Sequence, residues 1–190
     1  MLGEQGIVWL FAVMLGLYVC GTLTVFVSAG QPRAANWLAH GFSFCGGVCG
    51  VAVALLLLWK KSTLSLSLWQ IAGGLNLSLR LDSLAAFFLL VISLLAAVVS
   101  IYATGYVSEY YDKKNVSLLG GGLNLFLLSM ALVVSVDNAF AFLLAWELMS
   151  LVSFGLVMFE HEREDVRTAG FIYVVMTHVA TLFITLSFLA

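Results

Sequence analysis

The sequence predicts an all-α membrane protein, a polytopic bundle of about six transmembrane helices with a small surface β-hairpin between the second and third. Of its 190 residues, 63% are hydrophobic and only 9% are charged, whereas soluble domains carry roughly 25% charged residues. Apolar runs of about 20 residues, long enough to cross a bilayer, recur along the chain. At one place the pattern changes to strict alternation. The formal net charge of −2 gives no basic surface for nucleic acid.

Six apolar runs follow one another, so we treat residues 1–190 as a single transmembrane domain. The runs cover residues 6–29, 34–59, 83–106, 118–136, 138–159 and 168–190. Pro32 lies in the first connection, where its missing N–H does no harm. Asp82 before the third run and Asn138 before the fifth are residue types that cap helix N-termini.

Leucine alternates with small polar residues over residues 63–71 and again over 75–81. Between the two stretches stands Ala72-Gly73-Gly74, and alternation around a Gly-Gly turn predicts a β-hairpin, an insert at residues 62–81. A lone hairpin cannot cross a bilayer, because its edge N–H and C=O groups would have no partners there. We therefore expect it on the membrane surface, with its leucines against helix ends or a partner subunit. The alternative is an irregular amphipathic loop.

The charged residues indicate an orientation. Residues 160–167, EHEREDVR, are expected to form a solvated loop, with docking of a soluble partner as the alternative. Lysine and arginine divide five to three between the two sides of the predicted topology: Arg33, Lys113, Lys114, Arg163 and Arg167 against Lys60, Lys61 and Arg80. Because positively charged loops tend to stay in the cytoplasm, we expect the first side to be cytoplasmic and the N-terminus outside.

Glu147 is the one ionisable residue in the fifth run and stands near its middle. A carboxylate at the centre of a membrane helix costs on the order of 3 kcal/mol or more to insert, and nothing in the local pattern needs an acid there. The hypothesis is therefore functional: Glu147 faces a bundle interior or a wet cavity and handles a proton or cation. The alternative is a structural acid that is hydrogen-bonded and never titrates.

His178 lies in the sixth run, which the charged loop makes an antiparallel neighbour of the fifth. Glu147 stands about twelve residues before Phe159 and His178 about eleven after Arg167, so both lie ~17–18 Å deep at ~1.5 Å per residue. We expect the two side chains to meet directly or through a water, and Glu and His within spans are the usual elements of proton relays. The alternative for His178 is a hydrogen bond to a neighbouring helix.

The remaining polar and thiol groups within the runs are given structural roles. Four hydroxyl residues near the two titratable groups are expected to bond the carbonyls of their own helices, with the holding of water as the alternative: Ser150, Ser153, Thr177 and Thr181. His40 is expected to be a polar residue near a helix start, with a place in a proton relay as the alternative. Three cysteines without matching ligands are expected to be inert: Cys20, Cys45 and Cys49. No nucleotide-binding, zinc or CxxC motif is present, so the sequence argues for no metal or cofactor site.

Two stretches resemble a known family. LRLDSLAAFFLLVISLLAAVVSIYATGYVSEYY, residues 79–111, resembles the third-span region of the antiporter-like membrane subunits of respiratory complex I and its hydrogenase relatives. DNAFAFLLAWELMSLVSFGLV resembles the same family's helix with an essential glutamate, and IYVVMTHVATLF in the sixth run fits as well. The resemblance is strongest over residues 79–188. Within the family, the chain most resembles the component B subunits of hydrogenase-4 and formate-hydrogenlyase type complexes.

The resemblance implies a proton- or cation-translocating membrane subunit of a respiratory redox complex, in a bacterial-type inner membrane. Its partners would be other membrane subunits of a hydrogenase or NADH-quinone type assembly, and it would hold no redox centre or cofactor. Glu147 maps onto the family's glutamate, which pairs with a lysine on a later, broken helix in a bundle of roughly fourteen helices with inverted repeats. The sequence ends before that helix, so we expect no pumping by this chain alone.

Two other functions stay open at this point. One is a structural anchor that assembles the complex without transport. The other is a subunit of a sodium/proton antiporter that has no redox partner.

Overall fold

The computed structural model describes residues 3–27, 30–71, 75–111 and 114–189. Within these ranges lie six α-helices long and apolar enough to cross a membrane and one pair of strands. In chain order they are α1 Glu4–Val27, α2 Pro32–Lys60, β1 Leu64–Ile71, β2 Leu75–Leu81, α3 Ser83–Tyr106, α4 Val116–Ser135, α5 Ala139–Val157 and α6 Glu164–Leu189. The predicted helical bundle with a small hairpin is confirmed.

Helices α1 to α4 form the packed centre of the molecule, with α2 in contact with each of the other three. One stripe of α1, with Ile7, Phe11 and Tyr18 at helical spacing, is completely buried. On α2 the contact with α3 is so close that a Cβ at Gly47 would lie 2.8 Å from the Ser93 carbonyl oxygen. Glycine therefore permits this backbone approach, as small residues do between membrane helices.

Two buried asparagines join the packed helices by side-chain hydrogen bonds. The Asn36 amide nitrogen donates to the Thr104 carbonyl at 2.8 Å and lies 2.7 Å from the Tyr111 hydroxyl. The Asn124 amide nitrogen of α4 donates to the Ala39 carbonyl of α2 at 2.9 Å. Polar side chains that bond across apolar helices hold a bundle together, because hydrocarbon offers them no other partner.

The hairpin is antiparallel, with β1 and β2 paired from Leu64 opposite Leu81 to Ile71 opposite Leu75. An irregularity between Ser67 and residue 69 shifts the register by one residue. The predicted turn at residues 72–74 lies outside the described residues.

The hairpin packs on helix ends at one face of the bundle. Leu64, Leu79 and Leu81 are buried in the same core as α1 to α4. Leu79 forms a β-bridge with Val136, just after α4, and the backbone N–H of Asp137 donates to the Ser78 carbonyl at 3.0 Å. The leucine side of the alternation thus covers the ends of the helices, one of the two placements that the sequence predicts.

Both predicted N-caps are present. An Asp82 carboxylate oxygen accepts a hydrogen bond from the backbone N–H of Ala85 at 2.9 Å. The Asn138 side-chain oxygen accepts one from Ala141 at 2.7 Å. These bonds satisfy N–H groups that the first helical turn leaves without partners, and they place the starts of α3 and α5.

Two boundaries differ from the sequence expectation. Pro32 is the first residue of α2 rather than part of the connection, because the first helical position needs no N–H and favours the fixed φ of proline. Helix α6 begins at Glu164 rather than at residue 168. Glu164 and Asp165 stand in its first turn, where carboxylates are stabilised by the positive end of the helix dipole. The solvated loop is therefore shorter than expected.

The end of the bundle opposite the hairpin is joined by an ion pair. The Lys114 ammonium donates to a Glu162 carboxylate oxygen at 2.6 Å and to the Phe159 carbonyl at 2.9 Å. This hydrogen bond lowers the pKa of the Glu162 carboxyl below its usual range. The connection from α3 to α4 is thereby tied to the connection from α5 to α6.

The glycine contact can be tested with two alanine substitutions in one helix. Gly47→Ala forces α2 away from α3 and is expected to lower the free energy of unfolding by about 1–3 kcal/mol. Gly41→Ala is the matched control, because Gly41 is exposed on α2 and a Cβ there meets nothing within 4 Å. The control should be neutral or stabilising by up to about 1 kcal/mol. Thermal unfolding in detergent, followed by circular dichroism, measures both; equal stabilities would contradict the contact.

The ion pair can be tested by titration. Lys114→Met should raise the pKa of Glu162 towards its usual value, because the donor that stabilises the carboxylate is gone. Since the pKa is lowered in the folded protein, the stabilisation is present at neutral pH and is lost as the pH falls through that lowered pKa. Carboxyl ¹³C NMR of Glu162 follows the change. Lys61→Met, at the hairpin end of the bundle, is the control. An unchanged Glu162 titration in Lys114→Met would refute the pairing.

Candidate functional site

Helices α5 and α6 pack antiparallel, and contacts near both ends fix their register. Gly170 at the start of α6 lies against Phe154 near the end of α5. Phe188 near the end of α6 meets Phe142 near the start of α5, with ring centroids 5.8 Å apart. The two predicted titratable residues lie between these contacts, so the register that places them is set at both ends.

The structure brings Glu147 and His178 together, with a carboxylate oxygen of Glu147 3.8 Å from Nε2 of His178. This separation exceeds the usual hydrogen-bond length of about 3.0 Å. Glu147 stands about 12 Å from the start and about 15 Å from the end of α5 at about 1.5 Å per residue, close to mid-membrane. The geometry joins the two residues, and their part in proton transfer stays a prediction.

A second contact of His178 assigns its tautomer. Its Nδ1 lies 2.9 Å from the carbonyl of Val174, one turn earlier in α6. A carbonyl only accepts, so Nδ1 carries the hydrogen, and in the neutral ring Nε2 has a free lone pair. That lone pair is on the atom nearest Glu147. The ring therefore presents an acceptor atom towards the carboxyl group, at a distance of 3.8 Å that is longer than a hydrogen bond.

The pair lies at the less packed side of the bundle. The Glu147 side chain is 32% exposed and that of His178 is 53% exposed. Among the described residues of α6, Gly170 is the only one that is buried. Ionised groups at mid-membrane depth are costly in contact with lipid tails. A charged state of this pair consequently requires a polar or protein neighbour on the exposed side.

The nearby threonines bond within their own helix. Thr177 donates to the carbonyl of Val174 at 3.0 Å, and Thr181 donates to the carbonyl of Thr177 at 3.0 Å. Thr185 repeats the pattern at 2.8 Å. The expectation for Thr177 and Thr181 is confirmed, and their hydroxyl hydrogens are directed to backbone carbonyls rather than towards the carboxylate.

The sequence analysis missed two kinds of polar group within the apolar runs, a tryptophan indole nitrogen and the amides of two asparagines. The indole nitrogen of Trp146, next to Glu147, is buried without a hydrogen-bond partner among the described residues, and a tryptophan in an apolar run gives no signal of this. Asn36 and Asn124 could have been found, since an asparagine inside an apolar run is itself unusual.

His40 is separate from the pair. It is 3% exposed between the packed helices, and its Nδ1 lies 2.8 Å from the carbonyl of Asn36, one turn earlier in α2. Across the residues that the structure describes, no three His, Cys, Asp or Glu side chains come together as a set of metal ligands.

Comparison with known proteins identifies the family. The family described as "NADH-Ubiquinone oxidoreductase (complex I), chain 5 N-terminus" matches residues 69–115, from the hairpin to the connection after α3. Hydrogenase-4 component B of Escherichia coli (strain K12) is 35% identical over 173 residues, which cover 91% of this chain and 25% of that protein. The chain is therefore homologous to antiporter-like membrane subunits of complex I and hydrogenases.

Two further relatives show the breadth of this antiporter-like family. NADH-quinone oxidoreductase subunit L of Mycobacterium tuberculosis is 36% identical over 104 residues, 54% of this chain and 16% of the relative. A Staphylococcus aureus protein named as an Mnh antiporter subunit is 37% identical over 107 residues, 56% of this chain and 13% of the relative. The chain thus spans a quarter or less of the length of these relatives. Together with the six apolar helices, they identify an integral membrane protein.

Proposed function

We propose that this chain is part of a proton- or cation-translocating membrane subunit of a respiratory redox complex, and that protons pass through Glu147 with His178 as its partner. The observation that carries the proposal is the 3.8 Å approach of a carboxyl and an imidazole on adjacent membrane helices. Membership of the antiporter-like family supports it, because relatives carry the names of hydrogenase and NADH-quinone oxidoreductase components.

The proposed step moves one proton. Glu147 receives a proton and becomes neutral, which removes the cost of an isolated charge at this depth. Its O–H bond then breaks as an N–H bond forms at Nε2 of His178, leaving a carboxylate beside an imidazolium. The atoms must first approach from 3.8 Å to a hydrogen-bond distance of about 2.8 Å. Rotation of two partly exposed side chains supplies a change of this size.

The next acceptor lies outside the pair. An imidazolium that is 53% exposed at mid-membrane needs a covering protein segment. The component B relative is about four times as long as the portion matched here, and the family resemblance implies a lysine on a later helix. We propose that such a segment covers the exposed side of Glu147 and His178 and takes the proton onward. Partner subunits carry the redox chemistry in this proposal.

A sodium/proton antiporter without a redox partner is the second candidate. The similarity to the S. aureus antiporter subunit favours it, and a carboxylate at this depth can also bind a cation. Transport that requires sodium and proceeds without hydrogenase or quinone turnover would select this candidate. A purely anchoring role does not depend on an ionisable group at Glu147. Substitution of this residue therefore distinguishes anchoring from transport.

The first test removes the titratable group. In the assembled complex in inverted membrane vesicles, Glu147→Gln should reduce proton translocation by about 100-fold or more, because Gln keeps the shape but carries no exchangeable acidic proton. Quenching of a pH-sensitive dye measures the flux, and native gels check assembly.

Controls separate the two residues of the pair. Glu164→Gln, at the exposed start of α6, should pump normally. His178→Gln should lose less than Glu147→Gln, because a second acceptor or water can replace an imidazole. Normal pumping by an assembled Glu147→Gln complex would remove this residue from the mechanism and leave the anchoring role.

The second test addresses orientation, for which the Lys and Arg distribution predicts an external N-terminus and a cytoplasmic loop at residues 160–167. In a variant with the three native cysteines replaced by serine, Lys61→Cys should react with an impermeant maleimide in intact spheroplasts. Arg163→Cys should react only after lysis. The reverse pattern would invert the topology.

A further inference from the structure

A cleft of about 530 Å³ opens between the start of α4 and the end of α5, at the end of the bundle opposite the hairpin. Its character changes along its length. The apolar wall includes Leu118, Leu119 and Leu156, and the polar end includes Lys114, His161 and Glu162. The cleft is therefore amphipathic, with one charged end and a long apolar part.

The polar end lies at the depth of lipid headgroups. Helix α4 begins at Val116 and α5 ends at Val157, next to this end of the cleft. The rings of Tyr110 and Phe159 stand there with centroids 5.6 Å apart, and aromatic residues concentrate at the membrane interface. The apolar wall runs from that level along the two helices into the hydrocarbon region.

The apolar part has room for a chain. Gly155 of α5 lines the cleft, and a Cβ placed on it would meet nothing within 4 Å. Gly155 and the neighbouring Leu118 are exposed, so the cleft communicates with the lipid. A groove of this form suits an acyl chain rather than a compact soluble ligand.

The polar end presents a cation and an anion side by side. The Lys114 side chain is 18% exposed and held in place, whereas its partner Glu162 is 61% exposed, with 2.6 Å between the charged atoms. A purely anionic headgroup would gain little binding energy here, because the Glu162 carboxylate already offsets the charge of Lys114. A headgroup with both a phosphate and a primary ammonium complements both residues.

We propose that this cleft binds a diacyl phospholipid with a phosphoethanolamine headgroup. The phosphate pairs with Lys114, the primary ammonium donates to Glu162, and one acyl chain lies along Gly155 between α4 and α5. A choline headgroup carries the same charges but its nitrogen has no hydrogen to donate, so it is discriminated against at Glu162. This proposal is independent of the route of the proton.

Lipid competition tests the proposal. The protein, purified with its partner subunits and washed free of lipid in mild detergent, is incubated with equal amounts of phosphatidylethanolamine, phosphatidylcholine and phosphatidylglycerol of identical chains. Native mass spectrometry counts the lipids retained. We expect about tenfold preference for phosphatidylethanolamine over each of the others, the effect of one charge-assisted hydrogen bond. Soluble glycerophosphoethanolamine at the same concentration should not displace the lipid, because it lacks the chains.

Two substitutions locate the binding. Gly155→Leu should reduce phosphatidylethanolamine retention by about tenfold by filling the groove. Its control is Gly16→Leu, at an exposed glycine of α1 with equally open space, which should retain the lipid as the parent does. Glu162→Gln should still bind phospholipid but lose the preference for ethanolamine over choline.

Several results would overturn this assignment. They are equal retention of the ethanolamine and choline lipids by the parent, preference for the anionic lipid, and equal losses in Gly155→Leu and Gly16→Leu. Absence of any retained lipid would also overturn it, since a helix of a partner subunit would then be the better occupant of the cleft.

Discussion

The close approach of α2 to α3 at Gly47 is the contact on which the arrangement of the bundle depends. With the two backbones almost touching, Asn36 reaches the end of α3 and Asn124 of α4 reaches the backbone of α2. In a bilayer the hydrophobic effect does not drive helices together, so backbone proximity and such hydrogen bonds supply the association. The four helices consequently form a scaffold on which α5 and α6 are placed.

The two parts of the molecule differ in how they treat polar groups. Among α1 to α4, His40 and the two asparagines are buried and hydrogen-bonded to neighbouring carbonyls. On α5 and α6, Glu147 and His178 are partly exposed, at a distance just beyond a hydrogen bond. The buried hydrogen bonds among α1 to α4 stabilise a single arrangement of these helices. The arrangement on α5 and α6 leaves the two side chains close together but without a mutual hydrogen bond, on the less packed side of the bundle.

The two membrane faces are closed by different means. At one face the hairpin covers helix ends with Leu64, Leu79 and Leu81. At the other, Lys114 ties two connections together through Glu162. The first is apolar packing and excludes water. The second is an exposed ion pair, which contributes little stability but presents two opposite charges where the cleft meets the headgroup region.

The sequence by itself determined the six spans, the hairpin strands and the caps at Asp82 and Asn138. It also showed that Glu147 is an unusual residue within an apolar run. Length, hydropathy, alternation and insertion cost are all local properties of the chain. The sequence analysis misplaced Pro32 and the start of α6, where helix-end chemistry overrides composition. Tertiary structure alone decided that His178 turns Nε2 towards Glu147, and that a cleft opens beside Lys114. The reason is physical: side-chain direction depends on helix rotation and register, and both are set by contacts between residues far apart in the chain, such as Phe142 with Phe188.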